Sequence, residues 1–107
     1  MPQNHKVNKL PLVLILSMAM VTRRLLEILE EQPNQEVNLA YLHKKLAAEK
    51  LFGFGVEARG IVYHLKESGV LSYDKNKDVA SYKDREKALK FLNGEISYFK
   101  LLTLSPQ

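Results

Sequence analysis

The segment Val62-Tyr-His-Leu-Lys-Glu-Ser-Gly-Val-Leu71 joins a helical pattern of apolar residues to an alternating one, and the fold prediction starts from this junction. The apolar residues before the glycine recur at the spacing of one helix face: Ala58, Ile61, Val62 and Leu65. Gly69 can adopt the positive φ with which many helices end, and the residues after it alternate as in a half-buried strand. The segment therefore predicts a helix over residues 56–68 that leads directly into a strand.

A hairpin is predicted after Gly69. Residues 70–74 and 79–83 are two short β-prone stretches that both contain the pair Ser-Tyr. The linker Lys75-Asn-Lys-Asp78 between them is polar and turn-forming. The hairpin unit spans residues 70–84, because Asp84 is placed to cap the helix that follows.

The last helix is predicted to run as one element from Arg85 to Leu104. Its apolar stripe consists of Leu89, Leu92, Ile96 and Phe99. Asn93-Gly94 can break or kink a helix, but the stripe continues across it. The sequence therefore predicts a single extra C-terminal helix.

The first helix is predicted to begin at Leu10, with Pro11 in its first turn, where the missing N–H costs nothing. It ends near Gln32, because Pro33 disfavours the helical conformation in the residue before it. Residues 1–9 are polar and are predicted to form a flexible tail.

The second helix is predicted over residues 39–50, after a short extended piece at 37–39 in which Asn38 is placed as the N-cap. The glycines of Leu51-Phe-Gly-Phe-Gly55 then interrupt the helical pattern. The order helix, helix, helix, hairpin, helix predicts one mostly helical α+β domain over residues 10–107. Three helices form its core and the hairpin lies at one edge.

The composition argues against an enzyme. The absence of Cys excludes disulfides, thiolate catalysis and every metal site that needs a Cys ligand. His5, His43 and His64 lie in separate segments, with no carboxylate at ligand spacing, and neither a nucleophile elbow nor a Gly-Lys-Ser/Thr phosphate loop occurs. We expect no catalytic residue, no metal, no cofactor and no small-molecule substrate.

An apolar run over residues 10–21 resembles a signal peptide in composition, but we interpret it as the start of the first helix. It has twelve residues, whereas a helix needs about 20 to span a bilayer. The helical stripe also continues beyond it through Val21, Leu25, Ile28 and Leu29. The sequence predicts a cytoplasmic protein without stable membrane insertion; a peripheral membrane anchor at residues 12–21 is a weaker alternative.

The chain resembles the winged helix-turn-helix DNA-binding proteins, small transcription regulators of bacteria, archaea and their viruses. The resemblance covers about residues 22–84 and is sharpest where a helix ends in a Leu, three residues, a Gly and two apolar residues. The matching residues are Leu65, Gly69, Val70 and Leu71. The loop at 51–55 departs from the family pattern, because it is longer and more apolar than the usual turn.

The resemblance implies that helix 56–68 is a recognition helix and that hairpin 70–84 is a basic wing, which bind double-stranded DNA. The implied DNA-binding residues are Lys44, Lys45, Arg59, Tyr63, His64, Lys66, Lys75 and Lys77. Arg59 has the chemistry to donate two hydrogen bonds to guanine, and the lysines suit phosphates. Glu57 and Glu67 on the same face would repel phosphate. A net charge of +4 fits DNA binding without establishing it.

The terminal helices carry more apolar residues than one small core needs, which predicts a homodimer. The expected interface residues are Leu12, Ile15, Leu16, Leu92, Ile96 and Phe99. Two recognition helices about 34 Å apart would read successive major-groove faces of a pseudo-palindromic site. The alternative function is a winged-helix protein–protein interaction module that does not bind DNA.

Overall fold

The computed structural model describes residues 2–51 and 57–104, and side chains within them from Leu16 onward. The described residues form a mostly helical α+β fold, which confirms the coarse fold class. The elements are α1 (Pro2–Glu31), β1 (Glu36–Asn38), α2 (Leu39–Ala48), α3 (Ala58–Glu67), β2 (Leu71–Asp74), β3 (Val79–Tyr82), α4 (Arg85–Leu92) and α5 (Tyr98–Leu101).

The predicted hairpin is confirmed, and it belongs to a three-stranded antiparallel sheet in the order β1-β3-β2. β2 pairs with β3 in a register that places Ser72 opposite Ser81. The extended piece before α2 becomes a third strand, with Val37 opposite Ala80 on β3. The sequence predicted this extended piece but not its pairing, because nothing in a three-residue stretch indicates a partner so far along the chain.

The core lies between α1, α2 and α3 and is closed on one side by the sheet. Its largest side chains that are almost completely buried are Val21, Leu25, Leu26, Ile28, Leu29, Leu42, Leu46, Ile61, Leu65, Val70, Leu71 and Leu101. Each of the three helices contributes one apolar stripe, so the predicted three-helix core is present.

Local hydrogen bonds set the element ends where the sequence predicts caps. Asn38 Oδ1 accepts from the backbone N–H of Ala40 and Tyr41, and Asp84 Oδ1 accepts from Lys87 N–H. Gly69 has φ +80°, and the N–H of the next residue, Val70, donates to the Leu65 carbonyl at 2.9 Å. This is a Schellman end, which turns the chain directly from α3 into the sheet.

Three helix boundaries differ from the predicted ones. α1 begins at Pro2, so the backbone of residues 2–9, where the sequence predicts a tail, is helical, and Pro11 lies inside the helix rather than in its first turn. α2 ends at Ala48 because Lys50 has φ +57°, outside the helical region. α3 begins at Ala58 rather than at residue 56. Residues 52–56, including most of the predicted loop 51–55, lie outside the described residues.

The prediction of one continuous last helix is wrong. α4 ends at Leu92 and Gly94 adopts φ +78°, so the chain turns before α5. Because the helix is interrupted, the buried residues after Gly94 do not follow the stripe that a continuous helix would have. Ala88, Phe91, Tyr98 and Leu101 are buried, whereas Phe99 of the predicted stripe is 64% exposed.

Candidate nucleic-acid interface

α3 has one buried face and one exposed face, as the sequence predicts. Its buried residues are Ala58, Ile61, Val62 and Leu65. The exposed residues of the helix are Arg59, Gly60, Tyr63, His64, Lys66 and Glu67, and Tyr63 retains 57% of its accessible surface. Four of the predicted DNA-binding side chains therefore share one solvent-facing surface: Arg59, Tyr63, His64 and Lys66.

The hairpin lies beside this exposed face, and an arginine–aspartate pair joins the two. Arg59 Nη1 donates to Asp78 Oδ1 at 3.1 Å, and its Nη2 donates to Asp78 Oδ2 at 3.0 Å. Tyr73 also takes part, because Arg59 Nη1 lies 3.3 Å from its hydroxyl oxygen, and that hydroxyl donates to Asp78 Oδ1. Two planar groups thus meet in the bidentate geometry that arginine and carboxylate prefer.

Asp78 also contacts α2 through its backbone. Its carbonyl accepts from the N–H of Leu39, the first residue of α2, at 2.9 Å. Asp78 has φ +57°, a left-handed conformation that Asp and Asn tolerate better than most residues. One hairpin residue therefore connects to both helices that flank the sheet, and we call Arg59, Tyr73 and Asp78 the wing junction.

The wing junction is an electrostatic unit at the surface. The hydrogen bonds from Arg59 and then Tyr73 lower the pKa of the Asp78 carboxyl below its usual value, and the same contacts raise the pKa of Arg59. Both groups remain solvated, with side chains 64% and 31% exposed for Arg59 and Asp78. Water and salt therefore screen the pair, and its effect depends on its geometry more than on Coulomb energy.

The position of Arg59 changes how its predicted role must be understood. An end-on bidentate contact to guanine would use the two terminal nitrogens that Asp78 already engages. The sequence contained no signal for this pairing, since Asp78 lies 19 residues further along the chain in what was predicted only as a turn.

The predicted phosphate-binding lysines differ in their surroundings. Lys44, Lys75 and Lys77 are exposed, and none of them has an ion pair with the residues that the structure describes. Lys66 Nζ lies 3.6 Å from Glu67, and Lys45 is close enough to Glu49 to lower the pKa of its carboxyl after the larger effect of Arg24.

The hairpin tip has a defined backbone conformation. Asp74 Oδ1 accepts from the N–H of Asn76 at 2.9 Å and from that of Lys77 at 3.1 Å. An aspartate that bonds to the backbone two and three residues on is a common way to order a turn. Lys75 and Lys77 therefore lie in an ordered turn, the one that connects β2 to β3.

An open groove runs between α3 and the wing junction, with a volume of about 270 Å³. Its floor is formed by the buried side chains of Leu39 and Val62, and its walls by Arg59, Tyr63, Lys66 and Tyr73. A second groove of about 550 Å³ continues from Leu39 and Arg59 past His43 and Lys44 on α2. Cationic side chains thus border both grooves.

The remaining arginines act in the fold. Arg23 donates to the carbonyls of Leu92 at 2.9 Å and Phe91 at 3.1 Å, at the end of α4 where helix carbonyls lack partners. Arg24 joins α1 to Glu49 at 2.7 Å, and Arg85 joins α4 to Glu30 at 2.8 Å. Glu27, Glu30 and Glu31, the three carboxylates of the last turns of α1, therefore each have an arginine partner within the molecule.

The predicted dimer residues separate into three groups. Leu16 and Phe99 are exposed, by 57% and 64%, whereas Leu92 and Ile96 are half-buried against the core. The side chains of Leu12 and Ile15 lie outside those that the structure describes. Met20 and Leu104, which the sequence analysis did not single out, are also exposed, by 63% and 65%.

Within the described part of the chain, no three His, Asp or Glu side chains are placed to hold a metal ion together. None of the described helices combines the length and the apolar character needed to cross a membrane. Compared with protein-family models, with curated proteins and with solved structures, the chain matches none of them.

Proposed function

We propose that this protein is a winged helix-turn-helix DNA-binding protein that regulates transcription as a cytoplasmic homodimer. The observation that carries the proposal is the exposed face of α3 beside a hairpin whose two tip lysines form no ion pair with the described residues. α3 is the recognition helix and β2–β3 is the wing. β1 pairs with β3 and so attaches the wing to the start of α2.

The distribution of charge supports this surface more than the net charge does. The carboxylates of α1 have arginine partners within the molecule, Arg24 and Arg85, whereas Lys44, Lys75 and Lys77 have no carboxylate partner among the described residues. Uncompensated cations favour a polyanion, and those at an ordered hairpin tip suit DNA phosphates. Glu57 and Glu67 weaken the potential at the two ends of α3.

The test replaces Lys75 and Lys77 together by Ala. Each phosphate contact that is lost lowers the slope of log affinity against log salt, so the slope should fall by about one to two units while all DNA sequences weaken alike. The matched control replaces Lys90 on α4 and Lys100 on α5 by Ala, which removes the same number of positive charges outside the hairpin. Equal slopes for both double variants would contradict the role of the wing.

The homodimer is supported by apolar surface that the described fold leaves uncovered. Leu16 and Met20 on α1 and Phe99 on α5 are all more than half exposed. α1 is 30 residues long, about 45 Å, and the proposed two-fold contact uses the exposed Leu16 and Met20 near its middle. Light scattering tests the assembly: a monomer at high micromolar concentration would contradict it.

One observation favours the alternative, a protein-interaction module. The cation best suited to reading a base, Arg59, is paired with Asp78, and Tyr63 stands exposed beside a groove with an apolar floor. Such a surface also suits a protein partner, since exposed tyrosines are common in interfaces. If the protein fails to bind duplex DNA at about 50 mM salt, where phosphate contacts are strongest, the result would favour the interaction module over DNA binding.

A further inference from the structure

We infer that Arg59 is a positioning residue that holds the wing against α3 by means of Asp78, and that it does not read a base. Its consequence for DNA rests on the proposed function; the positioning of the hairpin does not. The inference is carried by the wing junction, in which the side chains of α3, β2 and the hairpin turn converge on one carboxylate.

The outer edge of the Arg59 guanidinium is engaged within the protein. Nη1 donates to Asp78 and Tyr73, and Nη2 donates to Asp78. A bidentate guanine contact made end-on with both Nη nitrogens would need that same edge. Moving the guanidinium to DNA would leave the Asp78 carboxylate without its cation on a surface that faces phosphates.

The junction also lies where it controls the wing. Asp78 is the last residue of the turn, immediately before β3, and its carbonyl accepts from Leu39 at the start of α2. The hairpin is thus attached to α2 through the backbone and to α3 through the side chain of the same residue. Without the side-chain contact, the angle between the wing and α3 depends on the Schellman end of α3 and on the packing of α3 against β2.

Base recognition then falls to the exposed side chains further along α3. Tyr63 lies one turn after Arg59 on the same face, and His64 packs against it with ring centroids 6.1 Å apart. Both rings offer apolar edges and a polar atom, which suits them to a thymine methyl or a base edge.

The experiment compares Asp78→Asn with Asp74→Asn. Both variants remove one negative charge from the hairpin, but only Asp78 contacts Arg59. Asn tolerates the left-handed conformation of position 78 and, at position 74, keeps an oxygen that can accept from the turn. Charge alone would make both variants bind DNA more tightly.

The probe is a fluorescently labelled duplex of random sequence, with affinity measured by anisotropy. If Arg59 positions the wing, Asp78→Asn should weaken binding by roughly two- to fivefold, the range for exposed ion pairs, while Asp74→Asn does not weaken it. Arg59→Ala combined with Asp78→Asn should bind no more weakly than Arg59→Ala alone, because both remove one contact. Tighter binding by Asp78→Asn, equal to or above that of Asp74→Asn, would show that Arg59 is released to DNA and would overturn the inference.

A second readout needs no DNA. Amide hydrogen exchange at Tyr73, Asp78 and Val79, whose N–H groups do not donate to the Asp74 carboxylate, should be faster in free Arg59→Ala and Asp78→Asn, by roughly two- to fivefold, and unchanged in Asp74→Asn. Unchanged exchange in Asp78→Asn would overturn the inference whatever DNA does. If the wild-type protein binds no DNA while amide exchange is still faster in Arg59→Ala and Asp78→Asn, the proposed function is contradicted and the positioning role is supported.

Discussion

Two stretches of α1, residues 16–20 and 25–29, both carry large apolar side chains but differ in their environment. Leu25, Leu26, Ile28 and Leu29 are completely buried, whereas Leu16 and Met20, earlier in the helix, are 57% and 63% exposed, and Met18 between them is partly buried against the core. α2, α3 and α4 pack against the later part of the helix. An apolar side chain thus becomes core only where other elements reach it.

The C-terminal region shows the same contrast over a shorter distance. Phe91 on α4 is 5% exposed and stacks under the Arg23 guanidinium at 4.9 Å, while Phe99 on α5 is 64% exposed. Residue type is identical and the environment decides its role. Phe91 stabilises the monomer, and we assign Phe99 to the proposed interface.

The largest expected effect is on assembly. Phe99→Glu should abolish the proposed dimer, because an unpaired charge buried in an apolar interface costs several kcal/mol. The isolated chain should stay folded, since Phe99 is 64% exposed in it. Light scattering and far-UV circular dichroism together measure both quantities. Phe91→Glu is the contrasting variant and should unfold the chain; an unfolded Phe99→Glu protein would contradict the contrast.

The next effect is on the free energy of unfolding. Leu25→Ala removes a completely buried side chain and should cost about 2–5 kcal/mol, through lost transfer energy and the cavity left behind. Leu16→Ala changes the same atoms at an exposed position and should stay within about 0.5 kcal/mol at concentrations where the protein is monomeric. Urea titration of both variants gives the difference, and equal losses would show that α1 is covered along its whole length.

Substitution by Ala at Gly69, which ends α3, and at Gly60, within α3, should change the free energy of unfolding in opposite directions. Gly69→Ala forces a non-glycine residue into φ +80° and should cost about 1–2 kcal/mol. Gly60→Ala replaces an exposed glycine in the first turn of α3, where an added Cβ would meet no described atom within 4 Å, and it should stabilise by up to about 1 kcal/mol. Thermal unfolding measures both; destabilisation by Gly60→Ala would show that α3 is not a regular helix there.

The smallest effect is the dependence of stability on pH. Hydrogen bonds from arginines lower the pKa of Glu30, Glu49 and Asp78 in the folded chain. Groups with a depressed folded pKa contribute above the unfolded value, about 4, and this contribution is lost as pH falls through the folded pKa. Stability should therefore decrease in acid below about pH 4, and Glu30→Gln should make that decrease smaller. Glu36→Gln, at an exposed position of β1, is the charge-matched control and should leave the decrease as it is.

Local patterns in the sequence determined the elements that bear the candidate site. The span of α3 follows from apolar spacing, its end from Gly69, the hairpin from alternation around a polar turn, and two helix starts from Asn38 and Asp84. Each of these features depends on residues within about four positions of one another, where backbone geometry and side-chain capping act without the rest of the chain. Such features can be predicted from a single sequence.

Only the tertiary structure decided which cations are available and which apolar residues are buried. Arg59 pairs with Asp78, which is 19 residues away in the sequence, and Arg23 donates to the Leu92 carbonyl, 69 residues away. β1 pairs with β3, although α2 and α3 lie between them in the sequence. The physical reason is that these contacts depend on how the helices and the sheet pack, which no local spacing encodes. The sequence therefore determined which residues form the proposed interface helix and wing, and the packing decided that Arg59 joins the two.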